Sequence, residues 1–204
     1  MAELRLQNKI AIVTGGASGI GAATAALFHA EGAGVIATDI HEPDVRSGPE
    51  VMRHDISSED AWNRVASSVV GRFGRLDILV NCAGINGATF GVPQDPEHIT
   101  IEQYRRVMAV NAEGRLLGCR AAIGAMKEHG GAIVNVGSLS SLLALPGMGD
   151  YGASKAVIAY LTRAAAADCI RKGYRIRVNA VTPESWISSG GREVLRISCA
   201  IILQ

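Results

Sequence analysis

Short apolar runs alternate with longer alanine-rich stretches along nearly the whole chain, and no other feature restricts the fold as much. Residues 10–14, 34–39, 51–54, 78–81, 132–136 and 175–181 are brief, largely β-branched runs bounded by Gly, Asp or Asn. That is the pattern of parallel strands covered on both faces. Between them the sequence predicts helices at 19–31, 58–73, 100–129 (two helices or one broken one) and 151–172. Strand–helix–strand repetition with right-handed crossovers gives an α/β domain with a doubly wound parallel sheet. At 204 residues the chain is long enough for one such domain with a substantial core. Two places break the rhythm. Residues 41–50 are too few and too rich in Pro and Gly for a full crossover helix, and beyond Pro183 the alternation stops. The apolar stretch 194–203 there fits an edge strand, a short helix or a poorly packed tail.

Charge and composition narrow the function. Twenty basic residues face 19 acidic ones, a formal net charge of +1, so nothing electrostatic recommends nucleic acid or an acidic membrane surface as partner. A hydrophobic content of 48% with negligible net charge excludes intrinsic disorder. No apolar run approaches the ~18 residues of a transmembrane span. The first residues carry Glu3 and Arg5 and lack the apolar stretch of a signal peptide, so a soluble, cytoplasmic protein is expected. Cys82, Cys119, Cys169 and Cys199 are scattered, with no CxxC pair and no cluster with histidine. Free thiols and no metal site follow from that spacing.

Two constellations carry chemistry. Thr14-Gly15-Gly16-Ala17-Ser18-Gly19-Ile20-Gly21 follows the first predicted strand and opens the first predicted helix. Glycines there permit a tight turn and close approach of a pyrophosphate to the N–H groups of the helix N-terminus. Asp39 ends the second strand 18 positions after Gly21, near the distance at which a carboxylate binds both adenosine ribose hydroxyls. A 2′-phosphate would meet its charge, and neither Ile40, His41 nor the glycine loop offers a compensating Arg or Lys, which favours NAD over NADP. The second constellation is Tyr151 and Lys155, four apart on one helix face, with Ser138 at the end of a strand upstream. A free phenol titrates near ~10. A nearby ammonium favours the phenolate and brings the group toward neutral-pH acid/base work.

Through these residues the sequence resembles a short-chain dehydrogenase/reductase of the larger NAD(P)-dependent group. Thr14 to Gly21 match TGxxxGxG, Tyr151 and Lys155 match YxxxK, and Ser138 falls at the place of the catalytic serine. Asn81-Cys82-Ala83-Gly84 resembles NNAG with Cys82 in place of the second Asn, and Asp55-Ile56 matches the pair flanking adenine. Asn111 matches the asparagine that in this family holds a water for proton relay. The resemblance runs from about Lys9 to Pro183, with the motifs in order. It implies a Rossmann-like single domain and hydride transfer between nicotinamide and a secondary alcohol or ketone. Tyr151 is the implied general acid/base, Ser138 holds the reacting oxygen, Lys155 binds the nicotinamide ribose, and Asn111 supports the relay. The implied cofactor-binding set is Gly15, Ser18, Gly19, Ile20, Gly21, Asp39, Asp55, Ile56, Asn81, Ala83, Gly84 and Pro183, with Tyr151 and Lys155. A homo-oligomer, dimer or tetramer, is implied as well.

Within the family, the segments 53–59, 161–166 and 173–179 are most similar to bacterial 3β/17β-hydroxysteroid dehydrogenases. Independently, the apolar stretch 142–148 between Ser138 and Tyr151 suits a small hydrophobic alcohol or ketone, or merely packs against its neighbours. A hydroxysteroid is the best single expectation. The alternatives are a 3-oxoacyl-carrier-protein reductase, or an inactive truncated member that only binds dinucleotide or a partner. Family members continue past this point with a Pro-Gly turn, a carboxamide-binding Thr, a substrate lid and a last strand. Here Glu184 follows Pro183 and nothing beyond resembles that pattern, although Ser188 stands roughly where the Thr would be. The expected organisation is a dinucleotide-binding domain over 1–183 and a divergent tail over 184–204, with the usual last strand missing.

Overall fold

The computed structural model describes residues 4–41, 49–91, 94–183 and 200–202. Six parallel strands form the sheet: β1 (Ile10–Thr14), β2 (Gly34–Asp39), β3 (Val51–Arg53), β4 (Ile78–Asn81), β5 (Gly131–Val136) and β6 (Ile176–Thr182). Their order is β3-β2-β1-β4-β5-β6. The chain winds outward from β1 in one direction, then crosses back to β4 and winds in the other. β1 therefore pairs with β2 on one side and β4 on the other, Thr14 standing beside Thr38 and Asn81. Where the order reverses, the carboxyl ends of β1 and β4 open a crevice, the usual ligand site of such sheets.

Alternating side chains explain the two layers. On one face Ile12, Leu79, Ile133 and Val178 pack against Trp62, Val65 and Val69 of α2 (Glu59–Phe73) and Met126 of α4 (Gly114–Met126). On the other, Val13, Ala37, Val80 and Val136 meet Ala25 of α1 (Gly19–Ala30). Local chemistry sets the helix ends. Ser58 caps α2 by accepting the Ala61 N–H, and Gly74 closes it in the left-handed region at φ 73°. Thr100 likewise caps α3 (Ile101–Met108) through the Gln103 N–H.

The long apolar pattern over 100–129 resolves as α3, a π-helical turn at Ala109–Glu113, and α4, a broken helix with the break centred on Asn111. The last long helix among the described residues, α5 (Gly149–Arg171), begins just before Tyr151. Beyond Pro183, Ala200–Ile202 form β7, antiparallel to β6, with Val181 opposite Ile201. Part of the apolar tail thus takes the edge-strand option. The place of a further parallel strand is filled in the opposite sense, and β6 is not left open along Ala180–Thr182. Ser188 and the rest of 184–199 lie outside the described residues. No helix among the described residues is long and apolar enough to cross a membrane.

One buried hydroxyl couples the two halves of the sheet at the crevice. Thr14 Oγ1 accepts the backbone N–H groups of Cys82 at 3.0 Å and Ala83 at 3.1 Å. Thr14→Val should strand both donors and cost about 1–3 kcal/mol in chemical denaturation, with Thr14→Ser restoring most of the loss.

Candidate active site

The glycine loop leaves β1 and enters α1 at the crevice. Gly15 has φ 73°, and a Cβ there would stand 2.8 Å from the Ala83 nitrogen, so this turn beside the 82–84 loop requires glycine. Gly19 is also left-handed, at φ 53°, but a Cβ on it would meet nothing within 4 Å. That side of the loop is an open cradle. Ser18 is the N-cap of α1 in extended conformation, and its hydroxyl makes no cap bond. Open glycine backbone at a helix N-terminus fits the pyrophosphate of a dinucleotide.

Asp39 closes the other side of the cradle. One carboxylate oxygen accepts the Ala17 N–H at 3.1 Å and the other accepts the His41 N–H at 3.0 Å. Sequence proximity missed one neighbour, because the β2–β3 register sets Arg53 opposite Asp39. No ion pair joins them among the described residues. Farther along, Asp55 holds its own turn by accepting the Ser57 N–H and O–H. Ile56 is buried, and its carbonyl accepts the Trp62 indole N–H at 2.9 Å. Pro183 is buried at the end of β6. The Asn81 side chain turns away from the crevice, donating to Asn135 Oδ1 at 2.9 Å inside the sheet. Ala83 and Gly84 carry the crevice wall past it.

Ser138, Tyr151 and Lys155 come together at the carboxyl end of β5. Lys155 Nζ donates to the Val136 carbonyl at 3.0 Å and stands 5.3 Å from the centre of the Tyr151 ring. The Ser138 hydroxyl accepts the Ser140 N–H at 3.3 Å and the Ser140 O–H at 2.9 Å. Its own proton is left to donate to a substrate oxygen. Asn111 is fully buried in the π turn. Its amide donates to the Ile85 carbonyl at 2.8 Å and to Ser154 Oγ at 3.0 Å, and its oxygen accepts the Ile85 N–H at 2.9 Å. Ser154 in turn donates to the Tyr151 carbonyl at 2.7 Å.

Several contributors escape a motif reading. Asp150, fully buried, accepts the Tyr151 N–H at 2.7 Å and the Gln103 amide at 3.0 Å, tying the start of α5 to α3. Arg115 is a buried cation under the 82–84 loop, where it donates to the Cys82 carbonyl at 3.3 Å. Burial, reinforced by Arg115, brings the Lys155 ammonium down to about 7. Burial also pushes the Cys82 thiol up, against the pull of Arg115 and Lys155, so Cys82 stays protonated at neutral pH. An unfolded lysine titrates near ~10.4. Between about pH 7 and 10 the unfolded chain therefore holds a proton at Lys155 that the native chain has shed, and the contribution of this lysine to stability rises with pH across that window. Burial raises the thiols of Cys82, Cys119 and Cys169, which oppose the lysine toward the alkaline end. In urea titrations of the cofactor-free protein from pH 7 to 10, the wild-type protein should therefore gain stability with pH relative to Lys155→Met.

Comparison with known proteins agrees with this geometry. The family model described as enoyl-(acyl carrier protein) reductase matches residues 15–193. The chain is 43% identical over 187 residues to the 3-beta-hydroxysteroid dehydrogenase of Comamonas testosteroni, covering 88% of this chain and 72% of that protein. It is 38% identical to the NADP-dependent (R)-specific alcohol dehydrogenase of Lentilactobacillus kefiri, covering 88% of this chain and 73% of the relative. A crystal structure of a short chain dehydrogenase from Mycobacterium smegmatis superposes with a TM-score of 0.80 at 32% identity, over 91% of this chain and 80% of the other. Glycine cradle, sheet order and relatives agree: the chain belongs to the short-chain dehydrogenase/reductase family, nicotinamide-dinucleotide oxidoreductases that act on CH–OH groups.

Proposed function

We propose that the chain uses NAD(H) to interconvert a hydrophobic secondary alcohol, a hydroxysteroid before others, and the corresponding ketone. The observation that carries this reading is the convergence of Tyr151, Lys155 and Ser138 at one strand end, with Lys155 held 5.3 Å from the Tyr151 ring. Held by Lys155 and the 83–84 wall, a bound nicotinamide would supply the hydride chemistry, taking a hydride from the carbinol carbon or returning it to the carbonyl carbon. Tyr151 takes the alcohol proton in oxidation and gives it back in reduction, as the general acid/base. Ser138, its lone pairs engaged by Ser140, donates to the reacting oxygen. Lys155 holds the nicotinamide ribose and favours the phenolate while it is charged. Asn111 supports the proton relay by keeping the π turn clamped between Ile85 and α5.

Gly15, Ser18, Gly19, Ile20 and Gly21 cradle the pyrophosphate, Asp39 takes the adenosine ribose, and Asp55 and Ile56 flank adenine. Ala83, Gly84 and Pro183 line the nicotinamide end. Asn81 serves this set through its backbone, its side chain being spent on Asn135. NAD is preferred because the Asp39 carboxylate, without an ion-pair partner among the described residues, repels a 2′-phosphate. The relative from Comamonas testosteroni and the exposed leucines 142, 143 and 145 between Ser138 and Tyr151 support a hydrophobic substrate. In this reading residues 1–183 make up the dinucleotide-binding domain and 184–204 a divergent tail. Copies associate through α4 and α5, which expose Leu116, Tyr160 and Ile170.

Calorimetric titration should give saturable NADH binding and much weaker NADPH binding, with Asp39→Ser narrowing the gap. A preference for NADPH would favour the acyl-carrier-protein reductase reading, and binding of neither would overturn both. Tyr151→Phe should lower turnover of a hydroxysteroid such as testosterone by about 10²-fold or more while leaving NADH affinity unchanged. Light scattering should report at least a dimer; a strictly monomeric particle would refute the association through α4 and α5.

A further inference from the structure

The site contains a second buried cation that the proposed chemistry does not use. Arg115 stands on α4 one turn beyond Asn111, and only 1% of it is exposed. Nη2 reaches the Cys82 carbonyl at 3.3 Å and lies 3.6 Å from where a Cβ on Gly84 would stand. Nε and Nη1 meet no hydrogen-bond acceptor among the described residues. Arg115 belongs to none of the ion pairs among the described residues. The titratable groups around it are Cys82 from the loop after β4, Cys119 on its own helix, and Tyr151 and Lys155 on α5. Asp150 also borders Tyr151, with its carboxylate engaged by Gln103 and by the Tyr151 backbone, and its negative charge opposes a phenolate.

A guanidinium buried without a counter-ion is a poor structural choice, since a hydrocarbon of similar size fills such a place without the desolvation cost. Its value lies in charge that water does not screen. Burial lowers Arg115 only to about 10, whereas Lys155 falls to about 7. Across the mildly alkaline range Arg115 remains a cation while Lys155 is largely neutral.

We infer that Arg115 is a positioning residue for proton transfer, its guanidinium beneath the 82–84 loop being the standing positive charge that readies the Tyr151 hydroxyl to give up its proton. This rests on the reading of Tyr151 as the acid/base, yet it is testable without substrate. Tyrosinate absorbance near ~295 nm, recorded as the difference from the matching Tyr151→Phe protein, follows this one phenol through a pH titration. Lys155 regains its proton when Arg115 is removed and compensates for it. The decisive comparison is therefore Lys155→Met against Lys155→Met/Arg115→Met. The double variant should titrate about one unit higher, and Arg115→Lys in the same background should restore most of the shift. Arg115→Met should leave the melting temperature unchanged or raised, as expected of a charge held for function.

Equal phenol titrations in the two proteins would overturn the inference. So would an Arg115→Met protein that fails to fold, because the side chain would then be structural. Absence of turnover in the wild-type protein with every alcohol tried, beside a titration that shifts, would instead defeat the proposed function and leave this inference standing.

Discussion

The side chain of Asn111 ties together three segments that otherwise share no covalent path at the crevice. Its amide and carbonyl oxygen both bond the Ile85 backbone after β4, and the amide also reaches Ser154 on α5. Ser154 passes the link to the Tyr151 carbonyl. The Asn111 side chain is fully buried, so its bonds are costly to leave half-made. The helix between α3 and α4 departs from regular α geometry around this residue, and π turns of this kind recur at functional sites. The distances at the reaction centre therefore depend on a residue that need not touch a substrate.

Electrostatics follow from the same architecture. Drawing α5 against the end of β5 buries Lys155 on the Val136 carbonyl, and drawing α4 under the 82–84 loop buries Arg115 on the Cys82 carbonyl. Backbone carbonyls only partly satisfy either cation. The apolar layers on both faces of the sheet offset this, with Trp62, Leu79, Met126 and Ile133 almost wholly buried on one of them. A two-sided parallel sheet has enough apolar burial to tolerate such a local cost, and tolerating it is how the fold keeps charge where water does not screen it.

The strands were legible because a parallel strand covered on both faces has to be an unbroken apolar run. β1, β2 and β4 begin and end where composition changes, at Ile10–Thr14, Gly34–Asp39 and Ile78–Asn81. The glycine loop and the Tyr151–Lys155 spacing were legible for the same reason: each role permits few residue types. What periodicity did not reveal depends on tertiary partners. A broken helix was expected over 100–129, but the position of the break at 109–113 is fixed by bonds to Ile85 and Ser154, far away in sequence. Arg115 reads as one more charge on a helix until the fold buries it. Asn81, read as a cofactor residue from its motif, points into the sheet because Asn135 stands beside it in register. Residues 194–203 have no clean period, so only pairing with β6 marks 200–202 as a strand.

Register also complicates the strongest sequence argument, the one for NAD. Reading along the chain, Asp39 has no basic neighbour, but the sheet sets Arg53 directly across from it. Two observations support the proposed dominance of the carboxylate. Both its oxygens are engaged by backbone N–H groups, of Ala17 and His41, which fix it at the mouth of the glycine loop. Arg53 is exposed, so water screens its charge and its long side chain pays entropy for any fixed geometry. A carboxylate locked by two backbone donors repels a 2′-phosphate continuously, whereas a solvated arginine attracts one only part of the time. The proposed preference for NAD therefore rests on which of two opposed charges is immobilised, and the backbone donors of Ala17 and His41 immobilise the negative one.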